Sequence, residues 1–324
     1  MEKTRIALLG LGTVGTGAWK IIRDNGRIIE KKAGCSLEVV KILVKDLHKR
    51  RGVELPAGIL TVDYGSIVDD PDIDIIVEVI GGVTPAKDYI LRALKAGKQV
   101  VTANKAVLAQ YGSEIFETAQ RHNSSIRYEA SVCGGIPIIN ILQESLASNE
   151  IEEVAGILNG TTNYILTKMT EEGQAYETAL REAQELGYAE ADPSSDVEGH
   201  DAAYKLAILA HLAFGTKLGI KDIRVKGIGG LTRKDIAEAK EAGFCIKLIA
   251  RARKENDGYS LGVGPERLPL KHPLAGVSGV NNAVLVRGNA VKELMFYGQG
   301  AGEMPTGSAV VGDIIALARN REKY

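Results

Sequence analysis

Cysteine is scarce in this chain, with three among 324 residues. Cys35, Cys133 and Cys245 are far apart in the sequence and odd in number. This pattern argues against a disulfide framework and favours reduced thiols in a cytoplasmic protein. The five histidines show no spacing with these cysteines that is typical of zinc ligands.

Long hydrophobic runs and basic blocks are also missing. The longest apolar stretch, Leu206–Phe214, is too short to cross a bilayer, and the apolar run Ile6–Leu9 is too short for a signal peptide. The formal net charge is −1, and the densest basic spot is Arg50-Arg51. These absences argue against a membrane protein and against a nucleic-acid partner.

The composition that remains is typical of soluble globular proteins, with 45% hydrophobic and 25% charged residues. A chain of this length is expected to form two domains.

The first part alternates short apolar runs with helical stretches, which predicts a doubly wound parallel sheet. The predicted strands are Arg5–Leu9, Leu37–Val44, Ile73–Ile80, Gln99–Thr102 and Ile126–Tyr128, with helices at Lys87–Ala96 and Val107–Arg121.

A glycine loop follows the first predicted strand. Gly10, Gly12 and Gly15 form the pattern G-x-G-x-x-G, and a helix-forming stretch comes after them. The first glycine permits a tight turn, the second lets the backbone approach a pyrophosphate, and the third lets helix and strand pack closely. The N–H groups at the start of the helix favour an anion, so the loop predicts a dinucleotide site.

The region from about residue 138 to 297 has a different pattern. A strand at Val154–Leu158 leads into Asn159–Asn163 and a helix, and two more helices and several strands follow. Asn256-Asp257-Gly258 is a hairpin signal between two of those strands. We expect helices packed on a mostly antiparallel or mixed sheet, which is an α+β domain.

The last segment contains a second glycine-rich loop at 298–306, before a predicted helix at Ser308–Arg319. It either returns the chain to the nucleotide domain and caps the cofactor, or is a simple turn before a helix. The expected organisation is a nucleotide domain at 1–137, a second domain at 138–297 and a closing segment at 298–324.

Acidic residues are concentrated between positions 183 and 205. Five of them lie within twelve positions: Glu190, Asp192, Asp196, Glu198 and Asp201. They precede and open an apolar helix on which Asp201 and Lys205 are four residues apart and share a face. That face continues through Ile208 and Leu209, so it should point inward, where a lysine is costly unless it is paired or used. Such a cluster can bind an ammonium group and move a proton. Alternatively, the acids complement a helix N-terminus, and Asp201 and Lys205 form a surface pair.

The chain resembles homoserine dehydrogenase along essentially its whole length. The residues that carry the resemblance are GLGTVG at 10–15, EVIGG at 78–82, TANK at 102–105, EASVCGGIP at 129–137, GILNGTTNYIL at 156–166, the 183–205 segment and YGQGAGEMPT at 297–306. The resemblance implies reversible NAD(P)H-dependent reduction of L-aspartate 4-semialdehyde to L-homoserine, on the pathway to threonine, methionine and isoleucine. It also implies a Rossmann domain, and a catalytic domain that forms a homodimer.

The resemblance also implies roles for individual residues. Lys205 would donate the proton to the carbonyl oxygen, and Lys105 would assist at the nicotinamide and the substrate oxygen. Glu190 would hold the substrate amino group, with Asp196 and Asp201 around it, while Gly160 and Thr161 would meet the carboxylate. The expected cofactor contacts are Gly10, Gly12, Thr13, Val14, Gly15, Lys45, Gly81, Thr102, Ala103, Lys105 and Gly302. A monovalent cation, expected to be sodium, would be held by Glu129 with Val132, Gly134 and Ile136.

Cofactor choice rests on the end of the second strand. NAD-specific sheets usually carry an acid there, but Lys45 comes first and Asp46 one residue later. We therefore expect NADP, with NAD also possible.

Cys133 is either an oxidation-sensitive thiol or a small buried side chain. The chain stops where many relatives continue into a threonine-binding domain, so we expect no inhibition by threonine.

Two rival interpretations remain at the level of sequence. Another reductase of amino-acid semialdehydes would share the glycine loop but not the 183–205 pattern. A nucleotide-sensing module would have lost Lys105, Glu190 or Lys205, and all three are present.

Overall fold

The computed structural model describes residues 3–215 and 219–321, and the chain forms two compact units. The first unit ends at Gly135 and resumes at Ala301, and the second runs from Ile136 to Gly300. No helix within the described ranges is long and apolar enough to cross a membrane.

The first unit is built on a six-stranded parallel sheet. Its strands are β1 (Lys3–Leu9), β2 (Ser36–Leu43), β3 (Leu60–Thr61), β4 (Ile75–Glu78), β5 (Gln99–Thr102) and β6 (Ile126–Arg127). The helices of this part are α1 (Thr13–Asp24), α2 (Gly26–Ala33), α3 (Gly65–Val68), α4 (Ala86–Lys95) and α5 (Lys105–Arg121). The strand order is β3-β2-β1-β4-β5-β6, so it reverses direction between β1 and β4, where sheets of this type bind ligands.

Both faces of this sheet are buried, which confirms the doubly wound arrangement. Successive side chains of β1 alternate between two apolar clusters: Ile6 and Leu8 lie in one, Ala7 and Leu9 in the other. Parallel strands that are covered on both sides read as continuous apolar runs, as β1 does.

The second unit contains a mixed six-stranded sheet. Its strands are β7 (Ile151–Ile157), β8 (Arg224–Val225), β9 (Phe244–Glu255), β10 (Gly258–Pro269), β11 (Asn281–Gly288) and β12 (Lys292–Gln299), in the order β12-β11-β7-β9-β10-β8. All pairs are antiparallel except β10 with β8. The helices are α6 (Ile138–Asn140), α7 (Gly160–Glu171), α8 (Tyr176–Glu185), α9 (Ser194–Val197), α10 (His200–Phe214) and α11 (Arg233–Glu241). The predicted hairpin is confirmed, since Glu255 pairs with Gly258 across a two-residue turn.

The C-terminal helix, α12 (Glu303–Arg321), belongs to the first unit and packs against α1. The helices approach so closely that a Cβ on Gly307 would lie 2.6 Å from the carbonyl carbon of Gly17. This helix begins five residues before the predicted Ser308. Pro305 stands in its first turn, where the missing N–H has no intrahelical acceptor to lose.

Candidate active site

The glycine loop between β1 and α1 has the predicted geometry. Gly10 has φ +103°, a value that favours glycine. A Cβ on Gly15 would overlap the carbonyl oxygen of Gly10, so turn and helix can pack this closely only through glycine. Gly12 is the N-cap of α1 and has open space around its Cβ position. Thr13 and Val14 open α1 without a side-chain cap, so their N–H groups suit a diphosphate.

A pocket of about 740 Å³ opens beside this loop, at the carboxyl ends of β1, β2 and β4. Its charged lining residues all come from the segment after β2, here named the basic loop: Lys45, Asp46, Lys49, Arg50 and Arg51. The carboxylate of Asp46 accepts the backbone N–H of His48 at 2.8 Å. Arg51 donates to the carbonyl oxygens of Asp46 and Lys49 at 2.5 and 2.7 Å, which braces the loop. Four positive charges against one negative charge make the pocket suitable for a phosphate.

The loops after β4 and β5 are joined by a buried polar network. Glu78 ends β4, and its carboxylate accepts the Thr102 hydroxyl at 2.6 Å and the Ile80 N–H at 3.0 Å. Asn104 caps α5 through the N–H of Val107 and donates its amide group to Glu78 at 3.4 Å. Burial raises the pKa of Glu78, and these hydrogen bonds oppose the rise. Thr102, one of the expected cofactor contacts, belongs to this network, and two others, Gly81 and Ala103, adjoin its residues in sequence.

Lys105, the first residue of α5, is half-buried. It therefore stands at the positive end of a helix, where a cation is electrostatically unfavourable.

In the C-terminal segment, Gly302 immediately precedes α12 and has φ +125°. Glu303 holds α12 to α1 through an ion pair with Lys20 at 2.5 Å.

The expected cation ligands lie in a tight, buried turn. Glu129 opens a short 3₁₀ helix and is only 3% exposed, and its N–H donates to the buried carboxylate of Asp313 on α12 at 2.7 Å. Val132 is buried, Cys133 and Gly134 both have positive φ, and Ile136 opens the second unit. No cluster of three or more His, Cys, Asp or Glu suited to a metal occurs among the described residues. A cation beside Glu129 would therefore rely on backbone carbonyl oxygens.

In the second unit, the acidic segment (residues 183–199) and helix α10 contact the end of β7. Lys205 is 9% exposed and donates to Asp201 at 2.7 Å and to the carbonyl oxygen of Leu158 at 2.6 Å. Asp201 is 5% exposed, so this is a buried pair and the alternative of a surface pair is wrong. Asn159 donates its side-chain amide to Asp201 at 2.9 Å and to Asp196 at 2.7 Å.

Burial and the nearby Asp201 carboxylate raise the pKa of Asp196, against the hydrogen bond from Asn159. These contacts place Asp196, Asp201 and Lys205 in one cluster at the N-terminus of α7. A carboxylate whose pKa is raised by burial and a like charge is often found at a functional site.

The N-terminus of α7 is shaped by Gly160 and Thr161. A Cβ on Gly160 would lie 2.6 Å from the carbonyl oxygen of Val280, so no larger residue fits without a shift. The Thr161 hydroxyl donates to the carbonyl oxygen of Tyr188 at 2.6 Å, which ties the acidic segment to the helix. Glu190 is exposed, and within the described residues its carboxylate makes no hydrogen bond or ion pair to the cluster.

Sequence reasoning did not identify Asn159, Glu78 and Asn104 as the residues that connect these sites. Asn159 bridges segments that are 37 and 42 residues away, which no local pattern reports. Glu78 did leave a signal, because it is a lone charged residue in the apolar run IIVEVI.

Comparisons with known proteins agree with this geometry. The family described as homoserine dehydrogenase matches residues 137–315, and its NAD-binding domain matches residues 10–129. A homoserine dehydrogenase of Bacillus subtilis is 50% identical over 99% of this chain and 74% of its own length. One of Synechocystis is 50% identical over 97% of this chain and 73% of its own length.

Solved structures give the same result. A homoserine dehydrogenase from Thiobacillus denitrificans superposes with a TM-score of 0.96 at 46% identity, over 99% of this chain and 74% of that one. A hyperthermophilic archaeal homoserine dehydrogenase in complex with NADPH gives 0.83 at 30% identity, over 100% and 99% of the two chains.

The Rossmann sheet with its glycine loop, together with these matches, defines an NAD(P)-dependent oxidoreductase that acts on a CH–OH group. Within that class, the chain belongs to the homoserine dehydrogenase family.

Proposed function

We propose that the protein interconverts L-aspartate 4-semialdehyde and L-homoserine. In the reductive direction the carbonyl carbon gains a hydride and the carbonyl oxygen gains a proton. A nicotinamide cofactor supplies or accepts the hydride when it is bound. The observation that carries the proposal is the buried Lys205–Asp201 pair beside Asp196, because these residues offer both a proton donor and a site for an amino group.

Lys205 is proposed as the proton donor. Negative charge develops on the aldehyde oxygen as the hydride adds, and a buried ammonium both stabilises that charge and supplies the proton. Asp201 and the carbonyl oxygen of Leu158 hold this ammonium in place. Fixing the donor in advance lowers the entropic cost of reaching the transition state.

The substrate would be recognised at its amino-acid end. Asp196 and the exposed Glu190 provide carboxylates for the α-ammonium group. The N-terminus of α7, at Gly160 and Thr161, provides N–H groups for the α-carboxylate. Lys105 is proposed to assist at the nicotinamide and the substrate oxygen, a role that would account for a cation at the start of α5.

The cofactor is proposed to be NADP. The glycine loop fits a diphosphate, and the basic loop places Lys45, Lys49 and Arg50 beside a pocket of adenosine size. A 2′-phosphate would meet this positive charge, whereas Asp46, the acid among the described residues that line the pocket, bonds to its own turn.

We also propose a cation site and a dimer interface. A monovalent cation, expected to be sodium, would be held by Glu129 with carbonyl oxygens of Val132, Gly134 and Ile136. The second unit would form a homodimer through its sheet. Met295 and Tyr297 lie on one side of β12 and are 41% and 56% exposed, which is unusual for large apolar side chains in a strand.

The test is the oxidation of L-homoserine, followed by the absorbance of the reduced nicotinamide, with NADP and NAD in parallel. L-serine and 4-hydroxybutyrate are the substrate controls: the first shortens the chain and the second lacks the α-ammonium. Turnover of L-homoserine alone supports the proposal. Folded protein that binds nucleotide and turns over none of these substrates would contradict it.

A further inference from the structure

Glu78 is a buried carboxylate with no part in the proposed chemistry. It is the last residue of β4, beside the point where the strand order reverses, and it is fully buried. Placing a carboxylate out of contact with water is costly unless its oxygens are satisfied by other groups. Its partners therefore indicate why an acid stands here.

Glu78 accepts hydrogen bonds at both of its carboxyl oxygens. The hydroxyl of Thr102 accepts the backbone N–H of Asn104 at 3.0 Å and donates its own proton to one carboxylate oxygen. The other carboxylate oxygen accepts the N–H of Ile80 and the amide of Asn104. Both oxygens thus face donors, an arrangement that stabilises the carboxylate rather than the protonated acid.

The amide of Asn104 has only one orientation that fits its contacts. Its nitrogen also donates to the carbonyl oxygen of Gly82 at 2.7 Å, and its oxygen accepts the N–H of Val107 as the cap of α5. Glu78 therefore connects the base of the 79–82 loop, the end of β5 and the first turn of α5. Gly81 and Gly82 have φ +71° and +69°, so the loop that follows Glu78 turns sharply.

We propose that Glu78 is a positioning residue for the nicotinamide half of the cofactor. Its carboxylate holds the loops after β4 and β5 in one fixed relation and sets the start of α5, which carries Lys105. The adenosine half depends instead on the glycine loop and the basic loop. This inference rests on the proposed assignment of Gly81, Thr102, Ala103 and Lys105 to the cofactor.

The test uses Glu78→Gln, which keeps the size of the side chain and removes its charge. The new amide nitrogen must face either the Thr102 hydroxyl or the Ile80 N–H, so at least one hydrogen bond that the carboxylate accepts is lost or reversed. Binding is measured without turnover, through the emission of the single tryptophan, Trp19, which lies on α1. The probes are NADPH and adenosine 2′,5′-bisphosphate, a ligand that lacks the nicotinamide half; AMP replaces the latter if the protein prefers NAD.

We expect Glu78→Gln to weaken NADPH binding about tenfold or more and the half-ligand less than about threefold. Asp74→Asn is the matched control, because Asp74 precedes the same strand at its other end and also accepts a backbone N–H, from Arg5 at 2.8 Å. It should leave both affinities unchanged. Unchanged NADPH binding by Glu78→Gln, or an equal loss of both ligands, would overturn the proposal.

A second variant covers the case in which Glu78→Gln does not fold. Asn104→Ser retains a side chain that can cap α5 but cannot reach both Gly82 and Glu78. It should show the same selective loss of NADPH, and a loss shared equally by the half-ligand would again contradict the proposal. Because these measurements need no substrate, their outcome is independent of whether L-homoserine is turned over.

Discussion

At the scale of single residues, Lys205 is placed by contacts that are made before any substrate arrives. It is buried on α10 and bonded to Asp201 and to the end of β7. An ammonium held in this way is already positioned for proton transfer. Its removal should therefore affect the chemical step more than binding.

We expect Lys205→Ala to lower kcat by about 10²–10⁴-fold, the usual contribution of a positioned general acid. The affinity for NADPH should stay near that of the wild-type protein, because the proposed cofactor contacts lie in the other unit. Lys234→Ala is the control, since Lys234 is an exposed lysine on α11. Steady-state rates and NADPH titration check both values, and a parallel loss of cofactor affinity would indicate a structural role instead.

The basic loop supports a prediction about cofactor selectivity. Lys45→Ala combined with Arg50→Ala removes two positive charges from the pocket and leaves the brace formed by Arg51. We expect the ratio of kcat/KM for NADP to that for NAD to fall by about tenfold or more, since charge-assisted phosphate contacts are lost. Arg27→Ala, an exposed charge on α2, should leave the ratio unchanged. A ratio that does not move in the double variant would exclude the basic loop as the phosphate site.

At the scale of elements, α12 and α1 meet backbone to backbone at Gly17 and Gly307. Two glycines of α12 allow a comparison within one helix. Gly307 faces α1, whereas Gly312 is exposed and has nothing within 4 Å of its Cβ position. The same substitution should therefore have opposite effects at the two positions.

We expect Gly307→Ala to destabilise the first unit by about 1–3 kcal/mol, because the new methyl group must push the helices apart. Gly312→Ala should be neutral or stabilising by up to about 1 kcal/mol, since alanine is the better helix former. Urea unfolding followed by Trp19 emission reports on this unit, which contains the only tryptophan. Equal effects of the two substitutions would refute the close crossing.

The contact between α7 and α8 should depend on pH. Tyr164, Lys168 and Gln174 all donate to Glu182 on α8, and they lower its pKa to about 2 from an ordinary value of 4.5. The stabilisation is therefore complete above pH 4.5 and is lost as the pH falls towards 2.

Glu182→Gln should lower Tm at neutral pH, and the difference from wild type should shrink as the pH falls below 4.5. The reason is that the wild-type protein then loses the same charged contacts by protonation. Glu185→Gln, on the exposed side of the same helix, should give no such convergence. Thermal unfolding at a series of pH values separates the two, and a difference independent of pH would contradict the assignment.

At the scale of the whole molecule, Met295 and Tyr297 predict how two copies would meet. Their strand partners, Leu285 and Ala283, are buried, so an apolar patch continues from the sheet interior to the exposed strand. We expect Tyr297→Asp combined with Met295→Glu to convert a dimer into a monomer, because two charges would be desolvated at each copy of the interface. Light scattering at micromolar concentration gives the mass, and Val62→Asp is an exposed control in the other unit. A wild-type monomer would rule out the dimer altogether.

Local patterns predicted much of this molecule, and long-range pairing accounts for what they missed. The i, i+4 spacing of Asp201 and Lys205 on an apolar helix face, and the glycine loop between strand and helix, were both confirmed. The two-residue strands β3 and β8 could not be read from sequence, since pairing alone defines them. Helix α12 was predicted to begin too late because of Pro305, since proline usually ends a helix pattern but is tolerated in the first turn. Asn159 and Glu78 were missed because their partners are distant in sequence.

The crossing of α12 on α1 also has a consequence for biosynthesis. The second unit is one continuous segment, so it can be completed while the chain is still emerging from the ribosome. The first unit, in contrast, is interrupted, and the helix that packs against α1 is made after the second unit. A nascent chain could therefore contain the folded cluster of Asp196, Asp201 and Lys205 before α12 has packed against α1.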